Sequence, residues 1–161
     1  MVNCASEIGR LKKIIIHSPD KGIEQVTPDK AVEYLYEDIV YLDKMKKEHD
    51  VLCKLLKAFV GEENVLDIQD LLEETLHDEK VRNEVINAVV RFENNVFLAG
   101  RLKKMNPQNL ACTLITGLPK GAKTTIMAPA SNFIFCRDIG VVVKKHLLVC
   151  QAMKRARCRE S

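Results

Sequence analysis

Apolar residues recur along this chain with two different periods, and the switch between them divides it. "LKKIIIHSP" sets β-branched Ile14, Ile15 and Ile16 behind a basic entry and stops at Ser18-Pro19. Proline cannot donate to a ladder, so this reads as a short strand, and three consecutive apolar residues predict burial on both of its faces. "VTPDK" then carries a helix-start signal, because Thr27 can accept from an exposed backbone N–H and Pro28 is pre-set for the first helical position. From Tyr41 the series Leu42, Met45, Leu52, Leu56 and Phe59, with His49 filling the gap, follows steps of three and four and predicts a helix with one apolar stripe. Lys44, Lys46, Lys47, Glu48 and Asp50 take its other face. Gly61 ends it, since a left-handed cap costs glycine least, and "NVLDI" returns as a short strand. Residues 10–68 thus read as a strand-helix-strand unit.

Between Gln69 and Lys120 the periodicity is helical almost throughout, with breaks at His77-Asp78, Glu93 to Asn95, Asn106-Pro107 and Gly117 to Gly121. This predicts about four short helices, the last opened by the asparagine and proline of "MNPQNL". After "GAKTT" the composition becomes strand-like again, at Ile126-Met127, Phe133 to Cys136, "IGVVV" and "HLLVC". The pattern is that of a small helical bundle inserted into an α/β frame.

Composition bounds the class. With 161 residues, 47% hydrophobic and 29% charged, the chain is the size of one domain that buries its own core. It has no apolar run of about 18 residues and no signal-like stretch in "MVNCASEIGRLKK", which predicts a soluble, cytoplasmic protein. Six cysteines, at 4, 53, 112, 136, 150 and 158, include no C-x-x-C pair, so reduced and mostly buried thiols are expected. The net charge of +3 is concentrated at Lys144, Lys145, Lys154, Arg155, Arg157 and Arg159. Aromatics are absent from "KRARCRE", so there is no stacking platform for nucleic acid, and a solvated basic end is predicted. His49 reads as a core-edge histidine and His17 as a structural one at a strand end. "GLPKGAKTT" lacks the order of a phosphate loop.

"SNFIFCRD" is the stretch with chemistry in it. A buried strand over Phe133 to Cys136 would carry Asn132 and Asp138 at its ends, and polar groups at strand exits commonly form sites. Asn132, Phe135 and Asp138 are three apart, so a flat strand would turn Phe135 away from the other two unless a bulge or a strand end intervened. Spacing alone leaves open a surface turn in which Asp138 caps or pairs with Arg137.

Taken in order, "SEIGRLKKIIIHSP", "VTPDKAVEYLYEDI", "KEHD", a helical insert, "NFIFCRD" and "RARCRE" resemble the N-terminal part of an arginine deiminase. The family patterns are E-x-G-x-L-x-x-V, L-T-P-x-x-x-x-x-L-F-D-D, K-E-H-D, N-x-x-F-T-R-D and R-x-R-E. The resemblance covers nearly the whole chain but less than half the length of the family. It implies an α/β fold that is part of a pentein propeller: a first module at 1–68, the helical insert at 69–120 and the start of the next module at 121–161. It also implies hydrolysis of L-arginine to citrulline and ammonia without metal or cofactor.

Carried over residue by residue, Asp138 is implied to hold the guanidinium and assist proton transfer. Asn132 and Phe135 contact the substrate, Arg157 grips its carboxylate, and Leu35 lies on a loop that closes over the site. Departures from the pattern are Tyr36-Glu37 for Phe-Asp, Cys136 for Thr, and Lys144-Lys145 in place of a glycine-rich turn. The family's nucleophilic cysteine and its histidine belong to motifs that are not found here. The chain alone is therefore expected to be inactive, to need the rest of its own polypeptide, and to self-associate as a homo-oligomer. An agmatine deiminase or amidinotransferase is the alternative within the superfamily, from which Arg157 discriminates because agmatine has no carboxylate. A non-catalytic binding module with a basic tail is the alternative outside it.

Overall fold

A computed structural model describes residues 3–6 and 8–160. The first strand, β1 (Ile14–Ile16), pairs in parallel with β2 (Val65–Asp67), Ile14 opposite Val65 and Ile16 opposite Asp67. Burial of β1 on both faces does not hold. Ile15 is half exposed while Ile14 and Ile16 are partly covered, because the sheet has only these two strands and side chains alternate across it.

The parallel connection runs through helix α1 (Leu42–Val60), which Gly61 closes at φ +88° with its N–H donated to the Lys57 carbonyl. The inward stripe of α1 is Leu42, Met45, His49, Cys53, Leu56 and Val60. Leu52 and Phe59, expected in that stripe, point outward, since a step of four from His49 leads to Cys53 and not to Leu52. With Val51 and Leu55 they form a second, exposed apolar strip.

The helix expected after Thr27 is absent. Residues 28–35 are a run of turns, bonded Lys30 N–H to Thr27 O, Tyr34 N–H to Lys30 O and Tyr36 N–H to Ala31 O. These bonds span three, four and five residues, so no helical ladder propagates, and Leu35 at φ +64° turns the chain back. Burial of Val26, Ala31 and Tyr34 against Tyr36 and Ala156 favours this path over the local signal.

The four helices expected next are present, and local chemistry marks most of their ends. Asp67 caps α2 (Ile68–Thr75) through Gln69 N–H, and Asp78 caps α3 (Glu79–Glu93) through Lys80 and Val81 N–H. Asn94 ends α3 in the left-handed region at φ +50°, and α4 (Phe97–Leu102) follows. Asn106 caps α5 (Pro107–Thr116), with Pro107 opening its first turn. Gly117 closes α5 at φ +70°, where a Cβ would lie 2.3 Å from the Met127 carbonyl oxygen. Leu76, Ile86, Leu98, Leu102, Leu110, Ala111, Leu114 and Met127 form the main core, and at about 1.5–3 kcal/mol for each fully buried large apolar side chain they dominate its stability.

Beyond Gly121 the expected strands at Ile126-Met127 and Phe133 to Cys136 do not form. The first segment lies along α5, with Ile126 N–H donating to Gly117 O and Ala130 N–H to Ile115 O. The second is a 3₁₀ turn, Ser131–Ile134, running into a one-turn helix α6 (Cys136–Ile139). A two-stranded antiparallel hairpin follows, β3 (Gly140–Val143) against β4 (His146–Val149), turning at Lys144 with φ +52°. Cys4 pairs with Lys144 through both of their backbone groups. The fold is thus mixed α/β, and among the described residues no sheet closes on itself and no helix is long and apolar enough to cross a membrane. All six cysteines are free, but they are half-buried or exposed and not mostly buried, because none of them belongs to the Leu-rich core.

Candidate functional site

The 131–139 segment places its three candidate residues by a device different from a strand exit. Phe135 N–H donates to Asn132 O at 2.9 Å and Asp138 N–H donates to Phe135 O at 3.0 Å, two successive turns of three residues. In such turns residues three apart fall on one side, so the spacing that conflicts with a strand is what a 3₁₀ path requires. The expectation that a buried strand holds Asp138 rigid is corrected accordingly. Asp138 is carried on a short helical turn, its side chain is 53% exposed, and its order comes from partners.

The foremost partner is Arg157, on a 3₁₀ turn of Arg155–Arg157. Its Nη1 donates to Asp138 Oδ2 at 2.8 Å and its Nε donates to Glu160 Oε2 at 2.8 Å. Its guanidinium carbon stands 6.0 Å from the centre of the Phe135 ring. Asp138, Phe135 and Arg157 are therefore in direct contact. Asn132 is buried one layer below, its Nδ2 donating to the Tyr34 carbonyl at 3.0 Å, while Tyr36 donates its hydroxyl to Ser131 O at 2.8 Å. These bonds hold the residues on both sides of Leu35, which is itself 45% exposed. Clefts of about 330 Å³ beside Val26, Tyr41 and Leu42, and of about 440 Å³ beside Phe92, Val149 and Cys158, have none of Phe135, Asp138 and Arg157 in their walls. The Arg157 guanidinium itself occupies the space next to Asp138 Oδ2.

The basic end is solvated only in part: Lys154 and Arg155 are exposed, whereas Arg157 and Arg159 turn inward. Burial opposes the charge on Arg157, but Asp138 and Glu160 outweigh it and hold the guanidinium above its ordinary pKa. Arg159 is buried and drawn below its ordinary value for that reason. It donates to the carbonyls of Leu114 and Ala128, and its Nε lies 3.1 Å from Glu93 Oε1, an ion pair whose angle falls short of a hydrogen bond. Arg155 sits over the Phe92 ring at 5.4 Å. Two of the tail's cations, Arg157 and Arg159, are thus committed to carboxylates of the fold.

Two groups have partners that the sequence reading did not assign them. One is Glu160, almost fully buried, whose carboxyl is pushed up by burial and only partly offset by Arg157 and the Asn132 backbone N–H. The closing Glu of R-x-R-E was its only signal. The other is the set around His17, whose Nε2 lies 3.1 Å from Asp20 Oδ2 and whose Nδ1 lies 3.4 Å from Asp67 Oδ1. Desolvation alone would lower the imidazole, but the two carboxylates raise it to about 9. Asp67 falls to about 2 despite its own burial, through His17 and the Gln69 and Ser18 amides. The Phe133 ring packs edge-on against His17 at 5.8 Å, so this ionic set supports the 131–135 segment from beneath. Parallel pairing of β1 with β2 brings His17 and Asp67 together, a juxtaposition invisible in spacing.

The arginine deiminase family model matches residues 33–116. The chain belongs to the arginine deiminase family. It is 31% identical to the arginine deiminase of Pediococcus pentosaceus and 26% identical to that of Borreliella afzelii, in both cases over 99% of this chain and 44% of the relative. To the arginine deiminase of Limosilactobacillus fermentum it is 32% identical over 80% of this chain and 32% of the relative. It corresponds to an N-terminal part of such proteins and spans less than half their length. The candidate residues at 132–157 lie outside the family-model match but inside the alignments that cover 99% of the chain.

Proposed function

We propose that this chain supplies the guanidinium-binding and carboxylate-binding part of an enzyme that hydrolyses L-arginine to citrulline and ammonia. The observation that carries the reading is the Arg157 guanidinium held at 2.8 Å by Asp138 beside the Phe135 ring, which is the arrangement an arginine ligand needs. A guanidinium is planar with five N–H donors, so one carboxylate takes it with strong, directional hydrogen bonds, and an aromatic wall stabilises its face. Asp138 would hold the reacting group and move a proton at its carboxylate oxygen. Arg157, turned from Asp138, would take the amino acid's carboxylate, and Asn132 and Leu35 would shape the rim.

In this reading residues 1–68 form the first module of a propeller, 69–120 the insert and 121–161 the start of the next module. The nucleophile and the proton-carrying histidine come from the polypeptide that completes it, so the chain alone does not turn over. Its exposed apolar strips on α1 and the hairpin drive self-association, and it works in the cytoplasm without metal or cofactor. A substrate with a carboxylate is favoured over agmatine because Arg157 is already beside the acid.

The test is binding of L-arginine to the chain, followed by NMR titration, with Asp138→Asn as the control. We expect millimolar binding that weakens at least about tenfold in the variant, the usual cost of removing one charged partner from a charge-assisted bond. Equal binding by Asp138→Asn would refute the assignment of the acid, as would near-normal turnover by Asp138→Ala in any catalytically complete form of the protein.

A further inference from the structure

We infer that Glu160 is a positioning residue: it retains Arg157 by the Nε while an incoming guanidinium displaces Arg157 from Asp138. The inference rests on the reading of Asp138 as a guanidinium acceptor. Two carboxylates grip one guanidinium at different nitrogens, and both bonds measure 2.8 Å. Their surroundings differ sharply. The Asp138 side chain is 53% exposed, whereas that of Glu160 is 2% exposed.

Water competes for the exposed pair, so little free energy is lost when it opens. Opening the buried one would leave a charge without compensation away from solvent. The contact with Asp138 therefore breaks first, and Arg157 swings about its bond to Glu160.

Glu160 is fit to be that pivot because its neighbour in the R-x-R-E turn is tied down. Arg159, next to it, is fastened to Glu93 and to the carbonyls of Leu114 and Ala128. The backbone N–H of Asn132 also favours the charged Glu160 carboxylate. Among the described residues Glu160 Oε1 and Ser131 Oγ are buried without a hydrogen-bond partner, so the carboxylate commits a single oxygen, Oε2, to Arg157.

Selectivity follows from this geometry. A guanidinium compound without a carboxylate must evict Arg157 and receives nothing in return. L-Arginine evicts it and offers its own carboxylate to the Nη1 that has just left Asp138. Arg157 is then both resident competitor and carboxylate receptor, and Glu160 keeps the second role available once the first is lost.

Dissociation constants for methylguanidinium and L-arginine, measured by NMR titration on the native chain and on Arg157→Ala, Glu160→Gln and Asp138→Asn, test this. Arg157→Ala should bind methylguanidinium about fivefold tighter and lose the preference for L-arginine, and Glu160→Gln should reduce that preference about tenfold. In the native complex the Arg157 Nε–H resonance should persist while that of Nη1 moves. The inference is overturned if Arg157→Ala binds methylguanidinium no better than the native chain. It is also overturned if Glu160→Gln keeps the full preference. If Asp138→Asn loses both ligands while the other two variants behave like the native chain, only this inference fails. If Asp138→Asn binds both as the native chain does, the guanidinium site itself is wrong and the inference falls with it.

Discussion

Raising the pH from about 6 to about 10 should destabilise the chain by on the order of 3 kcal/mol, from His17. Its imidazole is nearly fully buried between Asp20 and Asp67, and its folded-state pKa of about 9 lies above the 6.5 of an exposed histidine. The stabilisation is thus complete below pH 6.5 and drains away as the pH rises through 9. Asp67 sets the acid limb with the opposite sign. Its pKa of about 2 lies below the ordinary 3.8, so its contribution is complete above that value and is lost as the pH falls through 2. The two limbs share one ion pair, and their energies are not to be added. Urea unfolding midpoints against pH check the alkaline limb, with His17→Gln expected to flatten it. A native profile that stays level between pH 6 and pH 10 would contradict the account.

Arg159→Met should cost about 3–5 kcal/mol, the usual loss when one member of a buried ion pair is removed. Side-chain exposures are 9% for Arg159 and 13% for Glu93, so the orphaned carboxylate would have little water to turn to. Two carbonyls, of Leu114 and Ala128, would lose their donor at the same time. Adding Glu93→Gln should recover part of the loss, because the uncompensated charge disappears with it. Thermal unfolding of both single variants and the double variant gives the coupling directly. A loss below about 1 kcal/mol in Arg159→Met would mean that this pair is solvated like an ordinary surface bridge.

Local chemistry was readable wherever it decides structure by itself. Asp78, Asn94, Asn106-Pro107 and Gly117 mark helix ends because each satisfies backbone groups that the helix leaves open, and the four helices lie between such marks. It was not readable where a distant contact overrides it. Thr27-Pro28 announces a helix, yet burial of Tyr34 and the Asn132 bond to its carbonyl hold the chain in turns.

Phe133 to Cys136 has the composition of a strand, but its N–H groups bond three residues back because Asn132 and Ser131 are anchored by Tyr34 and Tyr36. The spacing of three between Asn132, Phe135 and Asp138 is that of the three-residue turns observed, whereas on the strand expected from composition it requires a bulge or an early end. The motif R-x-R-E resolves into three tasks. Arg157 serves the acid at 138, Arg159 ties the tail to α3, and Glu160 secures Arg157. The letters singled out Arg157, as a grip on a substrate's carboxylate, and gave none of these three pairings.

The central claim is that Asp138 and Phe135 together receive an arginine side chain. Intermolecular NOEs between the δ-methylene of L-arginine and the ring protons of Phe135, recorded with the Asp138 carboxylate carbon in the same titration, test it most directly. The account predicts those NOEs together with a saturable shift of the Asp138 carbon. NOEs confined to other residues, with that carbon unmoved at saturating L-arginine, would contradict it.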